Sequence, residues 1–96
     1  MSETELDGLQ ADVLIVNKRG LHARASAKFV TAVAAMEGTR VSVSKDASSA
    51  AGGSILGLMM LGAAKGDTVT LHVSGARCET RLAELVALVE SGFGED

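Results

Sequence analysis

The stretch Asn17-Lys18-Arg19-Gly20-Leu21-His22-Ala23-Arg24 carries the chain from a strand into a helix, and what flanks it decides the architecture. Ahead of it, Asp12 to Val16 is apolar and β-branched and reads as a strand, stopped by the turn-forming Asn17-Lys18-Arg19-Gly20. Behind it, Ser26, Phe29, Val30, Val33 and Met36 recur at the spacing of one helical face between Ala23 and Met36. Arg24, Lys28, Thr31 and Ala35 fall on the opposite side. Glu37-Gly38 ends this helix, with Gly suited to a left-handed cap.

Working outward, Thr39 to Ser44 alternates Val41 and Val43 with polar neighbours, as a half-buried strand does. Lys45-Asp46-Ala47 turns the chain into a short strand from Ser48 to Ala51. Ser54 then stands as the N-cap of a short apolar helix, Ile55 to Gly62. Thr68 to Ser74 alternates again, with Val69, Leu71 and Val73 inward and Thr70, His72 and Ser74 outward. Leu82, Leu85, Val86 and Val89 mark a last helix from Glu79 to Glu90, followed by a fraying, Gly-rich acidic end. The order β-α-β-β-α-β-α predicts an α+β domain with helices on one face of an antiparallel sheet and water on the other. Residues 1–10 read as an acidic, flexible extension and 11–92 as a single domain.

His22 and Arg24 fall at the start of the first helix. Its leading N–H groups lack intrahelical partners, and the aligned peptide dipoles leave partial positive charge there. Such a terminus suits an anion, above all a phosphate. A cation in the first turn is locally unfavourable by roughly 0.3–1 kcal/mol, so Arg24 calls for a bound or transferred anion. From Val13 to Met36 the chain carries Lys18, Arg19, Arg24 and Lys28 and no carboxylate, a local +4 within a net charge of −3. An unperturbed imidazole titrates at about 6.5, so near neutrality one ring nitrogen is free to attack phosphorus. A hydrolase would also need a base to orient water. The nearest acids in sequence, Asp12 and Glu37, are far from His22, which favours a carrier over a hydrolase. His72 lacks any such setting and reads as ordinary surface.

Composition narrows the alternatives. With only Phe29 and Phe93 aromatic and a net acidic charge, the chain is a poor nucleic-acid binder. The single Cys78 excludes an internal disulfide, and with two His it leaves no plausible zinc site; Cys78 reads as a small apolar filler. Met1 to Gln10 has neither a basic start nor an apolar stretch, which speaks against a secretory signal. No apolar run reaches the roughly 18–20 residues of a membrane span. A cytoplasmic monomer without membrane insertion is the expectation. Gly52-Gly53-Ser54 fails as a phosphate loop because no Gly-Lys-Ser/Thr ending follows. The helix after it carries Ile55, Leu56, Leu58, Met59, Met60 and Leu61 all round, so some must be exposed. Methionine gives an adaptable surface, and the helix reads as a docking patch.

Together these residues resemble HPr, the histidine-phosphorylatable carrier family of the phosphoenolpyruvate-dependent phosphotransferase system. The likeness runs from about Asp12 to Val89. It rests on Gly20-Leu21-His22-Ala23-Arg24 with Lys28-Phe29-Val30, and on Gly53 to Gly62 with Lys65-Gly66-Asp67. The resemblance implies an open-faced β-sandwich, a four-stranded antiparallel sheet covered on one face by three helices. It implies that His22 takes a phosphoryl group on Nδ1 from phosphorylated enzyme I and passes it to an enzyme IIA, with Arg24 stabilising it. No cofactor is implied, and the protein would be a stoichiometric carrier rather than an enzyme. Leu21, Lys28, Ile55, Leu56 and Met59 would belong to the docking surface, and Ser54 matches a regulatory serine modified by HPr kinase/phosphorylase. Where many members carry Pro after the Arg, this chain has Ala25, which leaves the helix start less rigid. The Ala25-Ser26 pair and the Leu58-Met59-Met60-Leu61 run look more like the nitrogen-related branch. Two other readings compete. One is a regulatory module controlled through Ser54, in which His22 is secondary. The other is a small anion-binding domain without covalent chemistry.

Overall fold

A computed structural model describes residues 8–95. Four strands, β1 (Leu9–Leu14), β2 (Thr39–Lys45), β3 (Ser48–Ala51) and β4 (Thr68–Gly75), form one sheet in the order β1-β4-β2-β3. Every neighbouring pair is antiparallel. Three helices, α1 (Ala23–Ala34), α2 (Ile55–Met60) and α3 (Cys78–Glu90), follow β1, β3 and β4, and a 3-10 turn spans Gly92–Gly94. The expected α+β open-faced sandwich is the fold observed.

The alternation of the strands divides the sheet. Val13, Val43, Val69, Leu71 and Val73 are at most 2% exposed and meet Phe29, Leu58, Leu85 and Val89 from the helices. The other face carries the row Gln10, His72 and Ser42 and the row Asp12, Thr70 and Ser44. There Thr70 donates to Asp12 at 2.7 Å, and Ser44 Oγ lies 3.0 Å from His72 Nε2. The outward placement of His72 is as its alternation predicts. The β2–β3 hairpin turns at Asp46-Ala47, with Asp46 at φ 55°, a left-handed conformation that Asp tolerates.

Several boundaries differ from expectation. β1 begins at Leu9, inside the segment read as a flexible extension, because Leu9 and Gln10 pair with Val73 and His72. Residues 1–7 of that extension lie outside the described residues. β1 ends at Leu14 rather than Val16, since Ile15 bonds instead with Gly66 and Asp67 in the loop before β4. α1 stops at Ala34 rather than Met36, where the Ala35 and Met36 N–H groups tighten onto Ala32 and Val33. Gly38, at φ 78°, then takes the left-handed position foreseen for it.

The largest correction is at the end of α3. The segment read as fraying, and excluded from the domain at residue 92, folds back as a turn whose Phe93 is 1% exposed. A phenylalanine flanked by two glycines lets the backbone reverse twice through positive φ (69°, 59° and 73° at Gly92, Phe93 and Gly94) while one large side chain is buried. Lys28 on α1 fastens the turn by donating to the Phe93 carbonyl at 2.8 Å. Replacing Phe93 by Ala is therefore expected to destabilise the domain by about 3–5 kcal/mol, as for buried aromatics elsewhere. Leu56→Ala, at a site 67% exposed, changes stability by less than about 0.5 kcal/mol. Denaturant unfolding of the two variants checks the contrast; equal effects would mean that the turn is not part of the core.

Candidate functional site

The chain leaves β1 through Ile15, Val16 and Asn17, and the inward alternation of Val13 and Ile15 continues into Asn17, which is 2% exposed. Its side-chain amide donates to the Gly20 carbonyl at 2.8 Å and rounds off the turn. Gly20, at φ 63°, crosses the chain at Ala63 so closely that a Cβ would sit 2.2 Å from the Ala63 carbonyl oxygen. Leu21 donates its N–H to that carbonyl at 3.0 Å and sinks its side chain into the core, 6% exposed. Leu21 is thus an anchor, and its burial removes it from the docking surface expected of it.

His22 is the N-cap of α1, in extended conformation (φ −76°, ψ −177°). Its Nδ1 accepts the Arg24 N–H at 3.3 Å, and its carbonyl accepts from Ser26 at 2.9 Å. The imidazole thus stands where Ser, Asp or Asn stands in most caps, satisfying one of the orphan donors of the first turn. Ser26 is buried and bonds its hydroxyl to the Leu21 carbonyl, which fixes the helix entry from beneath. Ala25 is fully buried, and α1 begins at Ala23 without a proline.

The second ring nitrogen is also engaged: Nε2 lies 2.8 Å from Glu95 Oε2. An ionised carboxylate only accepts, so Nε2 carries the proton and donates it, which leaves the Nδ1 lone pair toward the helix terminus. The other carboxylate oxygen of Glu95 accepts from Asn17 at 3.0 Å. Sequence proximity could not find this acid, because it lies 73 residues from His22. Two signals could have found it: the polar Asn17, in phase with the inward Val13 and Ile15, and a lone phenylalanine in an acidic tail.

Around the imidazole is an open depression of about 450 Å³, lined by Lys18, Arg19, His22, Arg24, Lys28, Gly94 and Glu95. All four cations of the acid-free segment therefore border the same site, and Glu95 is the one carboxylate among its lining residues. α2 is built as expected too. Ser54 Oγ caps it by accepting from Gly57 at 2.9 Å, Leu58 is fully buried, and Ile55, Leu56, Met59 and Met60 are 40–77% exposed. Cys78 opens α3, half-buried against the core. Among the described residues no helix is long and apolar enough to cross a membrane.

Partial desolvation pushes the Glu95 carboxyl up. The hydrogen bonds from Asn17 and His22 and the charges of His22 and Lys28 outweigh it and hold the group below the usual carboxylate value. A lowered folded-state pKa means that these contacts stabilise the fold above the ordinary carboxylate range, and that the gain is lost as pH falls through the folded value. In a ¹³C titration the Glu95 carboxyl is expected to titrate below its own midpoint in the urea-unfolded chain. In His22→Ala it should move up toward that midpoint. An unmoved midpoint would show that the contact at Nε2 does not hold in solution.

The family model described as the PTS HPr component phosphorylation site matches residues 9–91. A phosphocarrier protein HPr from Cupriavidus necator is 44% identical over 87 residues, covering 91% of this chain and 97% of that protein. A phosphocarrier protein NPr from Escherichia coli K12 is 33% identical over 84 residues, covering 88% and 93%. The crystal structure of an HPr from Thermoanaerobacter tengcongensis matches with a TM-score of 0.85 at 38% identity, over 92% of this chain and 98% of that one. Names from both branches thus occur among the relatives. On the family match, the relatives and the fold together, the chain belongs to the HPr family, the phosphocarrier proteins of the phosphotransferase system.

Proposed function

We propose that this phosphocarrier accepts its phosphoryl group on Nδ1 of His22 from phosphorylated enzyme I and passes it to a histidine of an enzyme IIA. The observation that carries the reading is the imidazole in the cap position, with Nε2 bonded to Glu95 and Nδ1 turned to the Arg24 N–H. As the N–P bond forms at Nδ1, the bond from phosphorus to the donor breaks. The phosphoryl oxygens then meet the first-turn N–H groups, among them the Arg24 N–H that the ring had capped. Arg24, exposed at the rim, adds its guanidinium, and Lys18, Arg19 and Lys28 raise the local potential for an anionic donor. Bonds of this kind contribute roughly 1.5–3 kcal/mol each, enough to hold the group and still release it. A carrier of this type is consumed and regenerated once per transfer rather than turning over substrate. It works in the cytoplasm, where enzyme I would meet it.

Docking falls to Ile55, Leu56 and Met59 with Lys28 at the edge of the site; Met60, the most exposed at 77%, joins them. Ser54 stands at the N-terminus of α2, at the end of that surface. A phosphate added there by a kinase would replace the hydroxyl that caps Gly57 and set negative charge at the rim of an apolar patch. Phosphorylation at Ser54 therefore weakens docking to enzyme I.

Intact-mass and ³¹P measurements with enzyme I and phosphoenolpyruvate test the carrier reading. One acid-labile phosphoryl group is expected on the wild type and none on His22→Ala. Arg24→Ala should slow its formation about 10- to 100-fold, the worth of one charge-assisted contact. Phosphorylation of His22→Ala to the same extent would overturn the assignment. Ser54→Asp is expected to raise the enzyme I concentration needed for half-maximal transfer while leaving the His22 phosphoryl group equally stable. Transfer at the wild-type rate at every concentration would remove Ser54 from control of docking.

A further inference from the structure

Glu95 is held too firmly to be a passing surface contact. Asn17, itself buried, bonds one carboxylate oxygen at 3.0 Å, and His22 Nε2 bonds the other at 2.8 Å. Asn17 also holds the Gly20 carbonyl with the same amide group, so both of its N–H donors are spent on the two sides of the histidine turn. The backbone leading to Glu95 is fixed by the buried Phe93 and by the Lys28 bond to its carbonyl. The Glu95 N–H closes the turn onto Gly92 at 2.9 Å. The Glu95 and His22 side chains are 16% and 20% exposed. The carboxylate is therefore presented to the ring by a built support.

We propose that Glu95 is a positioning residue for phosphoryl transfer: it keeps the proton on Nε2, so that phosphorus is accepted at Nδ1 alone, and it opposes the positive charge the ring gains in that step. The proposal rests on His22 as the acceptor and adds the control of which nitrogen reacts. A carboxylate that orients an imidazole through its N–H fixes the tautomer and raises the donor strength of the opposite nitrogen. When Nδ1 forms its bond to phosphorus, Nε2 retains its proton and the ring becomes cationic, with Glu95 as the adjacent counter-charge. Attack by Nε2 would require that proton to leave and the donor phosphate to displace a carboxylate of like charge.

Phosphoramidate tests this without enzyme I, so a failure of the enzyme I assignment leaves the result readable. Nδ1 attacks phosphorus, the P–N bond of phosphoramidate breaks, and ammonia leaves. A His72→Gln background removes the only other imidazole, and ³¹P NMR separates the Nδ1 and Nε2 isomers of phosphohistidine. With Glu95 intact, the Nδ1 isomer is expected to dominate. In Glu95→Ala the Nε2 share should rise about tenfold, the effect of one charge-assisted hydrogen bond. Glu95→Gln keeps an acceptor for the Nε2 proton without the charge, and it should retain the Nδ1 isomer while reacting more slowly. A purely structural role would change stability and leave the isomer ratio alone. Amide spectra of the variants monitor the fold. An isomer ratio and rate identical in all three proteins would overturn the proposal.

Discussion

The contact on which the site depends is the crossing of Gly20 over Ala63. There is no room for a side chain at Gly20, where a Cβ would stand 2.2 Å from a carbonyl oxygen, and the next N–H is bonded to that same oxygen. This one crossing ties the loop after β1 to the loop after α2. It buries Leu21 and sets His22 two residues beyond a fixed point. The cap geometry of the imidazole then follows from where α1 must start to bury Ala25, Ser26 and Phe29. The exposed apolar residues of α2 are joined to the histidine turn through the same tether.

What was legible in the sequence was the part encoded over short range. Alternation identified β2 and β4, and the 3.6-residue repeat identified α1 and α3, because each records which face of an element meets the core; β3 was placed by the turn before it. Ser54 was readable as a cap for a similar reason: it acts on an N–H three residues away. The errors lie where distant segments decide. Leu9 and Gln10 form strand only because β4 offers them partners, and Leu21 is buried only because α2 returns beside it. The GFGED tail is polar and glycine-rich by composition. Its one phenylalanine is nevertheless buried, and that burial acts together with the Lys28 bond to its carbonyl and the Asn17 and His22 bonds to Glu95 to offset the entropy of ordering the turn.

The electrostatics of the site combine two scales. Lys18, Arg19, Arg24 and Lys28 give a diffuse positive field that requires no particular geometry and was visible as a run without acids. Glu95 adds a directed contact at a single atom. The field attracts any anion, whereas the carboxylate distinguishes one ring nitrogen from the other. Because Glu95 faces Nε2 and the helix terminus faces Nδ1, one imidazole accommodates opposite charges without their meeting.

The 73-residue separation of His22 and Glu95 also sets a clock on assembly. At typical synthesis rates of about 5–20 residues per second, the histidine is made roughly 4–15 s before its carboxylate. Until Gly75 is made β1 lacks a complete β4 to pair with, and until Phe93 is made α1 lacks the ring beneath it, so His22 exists before the fold that orients it. Maturation of the site therefore waits on docking of the segment after α3. A nascent chain halted before that point would carry the motif without the geometry.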